Sequence, residues 1–351
     1  MDTIEVKFNF RGNPLLEEIE SFKNHVSSLT SPKGYRYCDF LRFSRTKKEK
    51  KLGAIFKISY PRYFNGDNSY LITTRKECFE VQEHLINSIL CDPFFRAIIV
   101  DVKLARVDIP FTYYMREDMD FHSYINAYKI FALVYNIKKE EMRAKGYIDL
   151  IDEKYETVVY SDNGKTDKSS NDRLMIYNQY QNLKTKLGEE RIEEIIANSQ
   201  ELKRRMRLEV SKRIRREPFS LENFKNFDIL GEYFDDYKNY ILENVLNREI
   251  IENLYNEKVK NLSELLSQNR ALGNFNYEVF ILKNLDNIYD YEILRRALGI
   301  EIDNSKTRES AITRVRKILN EYEKEERIII MDTYKIICEM GCYITGLKIK
   351  E

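Results

Sequence analysis

The sequence predicts an α+β fold: an antiparallel central sheet with flanking helices over residues 1–217, then a mostly α-helical domain over 218–351. Three observations carry this expectation. Up to residue 216, short runs rich in β-branched and aromatic residues alternate with stretches of helical periodicity. Two strand-like runs flank one polar loop, "YSDNGKTDKSSND" (160–172), in the manner of a hairpin. Beyond Pro218 the pattern is almost wholly helical.

The elements follow in order. "GAIFKISY" (53–60) and "SYLITT" (69–74) alternate like half-buried strands, with "FNGDN" as the turn between them. "KECFEVQEHLINSIL" (76–90) has apolar residues at helical spacing. "AIIVDVKLARVDIPFTYY" (97–114) reads as one or two strands and "FHSYINAYKIFALVY" (121–135) as a helix. "YETVVY" (155–160) and "DRLMIY" (172–177) make the hairpin, and "MRLEVSKRI" (206–214) is a further strand. Helices are expected at 220–245, 249–268, 276–286, 289–299 and 306–324, then a short strand "RIIIM" and a last helix. The segment from Tyr291 to Met331 contains helix, turn, helix and strand. It reads either as a helix-turn-helix-like unit that turns Thr307, Arg308, Arg314, Arg316 and Lys317 toward a groove, or as plain bundle packing.

Composition removes several function classes. No run of 18 apolar residues is present, so no membrane span and no membrane partner is expected. "MDTIEVKFNF" lacks the basic and apolar regions of a signal peptide. Five scattered cysteines point to a reducing compartment, the cytoplasm. Cys338 and Cys342, one helical turn apart, have no second pair that would complete a metal site. The 58 basic residues nearly cancel 57 acidic ones, so binding to nucleic acid through bulk charge is excluded and a local patch is required. Three basic runs are visible: "RTKKEKK" (45–51), which by itself reads as a solvated face, and "KRRMR" (203–207) and "KRIRR" (212–216). The last two bracket a strand.

Three strand-like segments hold polar groups amid apolar neighbours. "LARVDIPF" carries Arg106 and Asp108, which share one strand face at spacing two; "MRLEV" carries Arg207 and Glu209 in the same relation; "LMIY" ends in Tyr177. If these strands pair, two carboxylates and a phenol meet on one sheet face. Two carboxylates are a usual minimum for holding Mg²⁺ beside a substrate phosphate. Taken singly, each motif also fits a surface ion pair or a packing tyrosine.

In this order and spacing, "GAIFKISYPRYFNGDNSYLI", "LARVDIPF", "YETVVYSDNGKTDKSSNDRLMIYNQYQNL" and "RMRLEVSKRI" resemble the replication initiation proteins of filamentous phages. Those are related in turn to plasmid rolling-circle initiators. The likeness covers roughly residues 50–216. It implies an endonuclease that nicks one strand of an origin duplex, links a tyrosine to the 5′-phosphate in a Mg²⁺- or Mn²⁺-dependent step, and later rejoins the displaced circle. Carried over by motif, the nucleophile is Tyr177, the metal-binding acids are Asp108 and Glu209, and Arg106 and Arg207 are their basic partners. Tyr180, three residues on, stands where a second nucleophile or a packing residue could sit. Expected nucleic-acid contacts are Arg106, Arg173, Arg204, Arg205, Arg207, Lys212, Arg213, Arg215 and Arg216. Expected partners are origin duplex and single-stranded DNA, with a host replication helicase or a host defence complex beyond them.

The chain departs from the family pattern in two places. Gln179 and Asn182 stand where the family carries a lysine and a glutamate, and His25, His84 and His122 are scattered rather than paired as His-x-His. These departures motivate an alternative: a family member without catalysis that binds single-stranded nucleic acid or inhibits a host defence complex. A structural protein with no nucleic-acid role is the third reading.

Overall fold

The computed structural model describes residues 1–45, 52–141, 148–152, 156–161, 172–285, 288, 290–324 and 332–350. Most of the basic run at 45–51, most of the polar loop at 160–172, and the expected strand at 327–331 lie outside these residues.

Eight strands form one sheet: β1 (Thr3–Phe10), β2 (Cys38–Arg45), β3 (Leu52–Ser59), β4 (Ile99–Tyr114), β5 (Ile148–Asp152), β6 (Thr157–Ser161), β7 (Asp172–Asn178) and β8 (Arg205–Arg213). Their order is β2-β3-β1-β4-β8-β7-β6-β5, and every neighbouring pair is antiparallel. The expected α+β class, with an antiparallel sheet and a helical C-terminal region, is what the chain adopts. Alternation gives the sheet two different faces. Ile4, Val6, Phe8 and Phe10 of β1, Val107, Ile109 and Phe111 of β4, and Leu208 and Val210 of β8 are buried on one side.

Fourteen α-helices are described. The first nine are α1 (Leu16–Ser28), α2 (Tyr60–Asn65), α3 (Arg75–Leu90), α4 (Pro93–Ile98), α5 (Ile125–Glu141), α6 (Gln179–Leu187), α7 (Glu189–Asn198), α8 (Leu221–Lys225) and α9 (Ile229–Asn244). They are followed by α10 (Arg248–Ala271), α11 (Tyr277–Lys283), α12 (Tyr291–Glu301), α13 (Ser305–Lys324) and α14 (Thr333–Gly346). Phe22 of α1 meets Phe8, Phe10 and Phe56 edge-on at 5.5–5.9 Å and closes the apolar face at one end. Phe234 of α9 packs on Phe111 at 5.3 Å at the other.

Two segments depart from the sequence reading. Residues 69–74 form no strand: Thr74 is the N-cap of α3, its side chain accepting from the Glu77 amide while the Glu77 carboxylate accepts from the Thr74 amide, and this capping box ends the stretch at the helix start. The helix expected at 220–245 is broken into α8 and α9. Gln82 of α3 donates to the carbonyls of both Phe224 and Phe227, and this long-range clamp stabilises the break.

The compact units are also discontinuous. One comprises 1–122, 139–241 and 346–351; the other comprises 123–138 and 242–345. The boundary expected at 217/218 is therefore displaced. Residues 218–241 stay with the sheet because of the Gln82 clamp and because Tyr237 Oη donates to the Val107 carbonyl at 3.0 Å. In the helical unit, buried Asp290 caps α12 and ties three helices together. Its oxygens accept from Glu292 N (2.9 Å), Tyr255 Oη of α10 (2.6 Å) and Tyr334 N of α14 (2.7 Å). Arg316 lies over Tyr291 and Arg314 over Tyr277, so two of the five side chains assigned to a groove are engaged within this unit. All five cysteines are free thiols. Among the described residues no helix is long and apolar enough to cross a membrane.

Candidate active site

The second face of the sheet is polar, and its centre is nevertheless buried. Register places the side chains. Asp108 on β4 stands opposite Ser211 on β8; two residues back along β8 is Glu209; two further back is Arg207, directly opposite Tyr177 on β7. A register shift between Glu5 and Val6 of β1 accommodates Ala105 of β4 as a bulge, just before Arg106. The three strands bring the phenol and both acids to one surface, each only 7% exposed.

Tyr177 Oη donates to Glu209 Oε2 at 3.0 Å. The Arg207 guanidinium, 1% exposed, lies 5.7 Å from the Tyr177 ring centre, 3.8 Å from Glu209 Oε2 and 3.4 Å from Asp2 Oδ1. Asp108 Oδ1 accepts from Arg106 Nε at 3.0 Å and, at closer range, from Ser211 Oγ. Burial, reinforced by the nearby carboxylates of Asp2 and Asp108, pushes Glu209 up to about 7 against the opposing pull of Arg207. Burial likewise raises Tyr177 well above a free phenol, and Arg207 opposes it. Asp2 is the member that motif reading missed. It precedes β1, its amide bonds the Asp108 carbonyl at 3.0 Å, and no spacing pattern links it to residues a hundred positions away.

The strand-to-helix switch after Tyr177 has a local cause. Asn178 Oδ1 accepts from the amides of Tyr180 and Gln181 and so caps α6, while its Nδ2 donates to Glu156 at 2.5 Å. Gln179 is buried and donates to the Asn68 carbonyl at 2.6 Å. Tyr180 turns away into a small apolar cluster of Leu183, Ile192, Ile195 and Leu202, so packing is the role it performs.

The nine cations assigned to nucleic acid do not form one patch. Arg106, Arg173 and Arg207 are buried inside the polar face and reach no surface. Arg204 is tied to the Met115 carbonyl and Glu117, and Arg205 to the Ser69 carbonyl and Ser199. Lys212 pairs with Asp236, and Arg216 pairs with Glu232 beneath Phe227. Arg213 and Arg215 are exposed. Spacing on a strand cannot tell an outward arginine from one facing a covered polar layer.

Cavities open on this unit among the described residues. One of about 690 Å³ is lined by Tyr70, Glu77, Arg191, Glu194 and Arg205 among others. A smaller one of about 310 Å³ is bounded by Lys57, Ser59 and Arg62 on one side and Leu183, Lys186 and Leu187 on the other.

No family model, no curated protein and no solved structure matches this chain.

The donor set of the polar face suits a hard divalent cation in kind: Asp108 and Glu209 with Asp2 beside them are all carboxylates, and their mutual repulsion is part of what raises Glu209. Each also carries a guanidinium neighbour. Among the described residues no three His, Cys, Asp or Glu side chains gather into a ready-made cage.

Proposed function

We propose that this chain is a replication initiator-like DNA nicking-joining enzyme whose nucleophile is Tyr177. The observation that carries the reading is the hydrogen bond from the Tyr177 hydroxyl to Glu209, on a face shared with Asp108. A phenol needs a base to attack phosphorus, because a free phenol has a pKa near 10. Glu209 Oε2 stands where it receives that proton. Tyr177 Oη then bonds to phosphorus, and the bond to the 3′ oxygen breaks. The 3′ oxygen leaves with the electron pair and takes a proton from solvent. The product is a phosphotyrosine ester at the 5′ end, and attack by a 3′ hydroxyl reverses the sequence and rejoins the strand. Arg207 holds Glu209 and the phenol ring in place. Arg106 and Ser211 do the same for Asp108. A divalent ion such as Mg²⁺ or Mn²⁺, held by Asp108 and Glu209, would supply Lewis-acid polarisation of the phosphoryl oxygens.

The test is incubation with single-stranded oligodeoxynucleotides of randomised sequence and Mn²⁺. A denaturant-resistant protein–DNA adduct is expected from the wild type and none from Tyr177→Phe. No adduct from wild type, or equal adduct from the variant, refutes the reading.

One observation favours a second reading. Gln179 is held by Asn68 and, with Asn182, replaces the family's lysine and glutamate, while the phenol is buried and its pKa raised. A protein of this kind would bind single-stranded nucleic acid, or block a host defence complex, without cutting. Calorimetric Mn²⁺ binding that is lost in Asp108→Asn and Glu209→Gln counts against it.

A further inference from the structure

The smaller cavity is lined by two lysines, Lys57 and Lys186, that form no ion pair among the described residues. Lys57 lies on β3, on the polar side of its alternation, opposite Glu5 of β1 and Asp39 of β2. Lys186 lies on α6. Leu183, three residues earlier on the same helical face, and the adjacent Leu187 line the same cavity. Among the described residues, neither Lys57 nor Lys186 makes an ion pair or hydrogen bond.

Their neighbours behave differently. Arg62, on the same wall, pairs with Asp39 at 2.8 Å. Lys184, two residues before Lys186, pairs with Glu189 at 3.1 Å. Asp67, the acid of the cavity wall, faces Arg191 at 3.7 Å and accepts from the Ser69 amide at 2.8 Å. Arg62 and Asp67 thus have charge partners, while Lys57 and Lys186 have none within ion-pair distance among the described residues. Lys186 is an exposed residue, yet the surroundings of its ammonium lower the pKa. Burial is the largest cause; Glu209 opposes it, and Lys57 adds to it.

We propose that Lys57 and Lys186 form a phosphate-binding subsite that holds the nucleic-acid backbone in the cavity at the C-terminal end of α6, the helix that begins just after Tyr177. This rests on the nicking reading for the identity of the ligand, but not for the existence of the site. Two lysines converging on a cavity of about 310 Å³ suit a tetrahedral dianion or a phosphodiester. Ser59, whose hydroxyl is bonded to Asn68 Oδ1 at 3.2 Å, lies on the same wall and offers its oxygen for reorientation toward the ligand. The subsite replaces, from the far end of α6, a cation that Gln179 does not supply.

The experiment uses the full chain and a fluorescent single-stranded oligothymidylate, read by anisotropy over a range of salt concentration. Substitution of Lys57→Gln with Lys186→Gln is expected to weaken binding about tenfold or more. The salt slope should fall by about 0.7 for each phosphate that is no longer neutralised. The melting temperature should not fall, because neither lysine has a partner to lose. Unchanged affinity and slope in the double variant overturn the subsite even if the DNA adduct forms. Lysine-dependent binding without any adduct leaves the subsite standing and removes the nicking reading. No binding by wild type overturns both.

Discussion

Tyr177→Phe removes one hydroxyl and little else, so it isolates the bond to Glu209. The phenol donates at 3.0 Å to a carboxylate that is 7% exposed, and the cation nearest that oxygen among the described residues is Arg207 at 3.8 Å. A hydrogen bond to a charged group contributes about 1.5–3 kcal/mol and a neutral one about 1 kcal/mol. Glu209 sits at about 7, so it is ionised at pH 8.5 and mostly protonated at pH 5.5. Its folded value is raised above the ordinary one. Its contribution to stability is therefore intact in acid and lost as pH rises through about 7. Loss of the phenol donor pushes that value further up and deepens the loss in alkali. The expected deficit of the variant is about 2 kcal/mol at pH 8.5 and about 1 kcal/mol at pH 5.5. Amide hydrogen exchange of β7 and β8, with variant and wild type compared at each pH, reads this as roughly thirtyfold and fivefold loss of protection. Equal losses at the two pH values, or none, would show that the phenol and the carboxylate are not bonded.

Two further outcomes test the charge architecture. Arg207→Met leaves Asp2 and Glu209 buried without their shared cation and should cost about 3–5 kcal/mol in thermal or urea unfolding; a loss below about 1 kcal/mol would refute the pairing. In the helical unit, burial raises Asp290 to about 6, so its stabilising contribution is present in acid and disappears as pH rises through that value. Wild type should lose about 2 kcal/mol between pH 4 and 7 that Asp290→Asn does not lose, and parallel stability curves would contradict the burial of this carboxyl.

Legibility followed the range of the interaction. Strands β3, β4, β7 and β8 were readable because alternation is local, and the hairpin because turn residues are local. The convergence of Tyr177, Asp108 and Glu209 was readable only as a conditional, since it needs three strands to pair in one register. Capture of residues 69–74 by the Thr74–Glu77 box was within reach of the sequence, because threonine three residues before glutamate is itself a helix-start signal. The break between α8 and α9 was not, since Gln82 stands 142 residues from Phe224. Nor was the burial of Arg106, Arg173 and Arg207. Arg106 and Arg207 keep the same spacing to Asp108 and Glu209 whether the sheet face is open or covered. Lys186 gave no signal because its importance comes from having no partner.

Strand β8 joins two partial sheets that precede it in the chain: β1–β4 on one side and β5–β7 on the other, with no other strand pairing between them among the described residues. As the ribosome delivers the polypeptide, both halves must wait with raw edges until about residue 213 emerges. The same insertion brings Arg207 and Glu209 to the phenol, so closure of the sheet and assembly of its buried polar cluster arrive together.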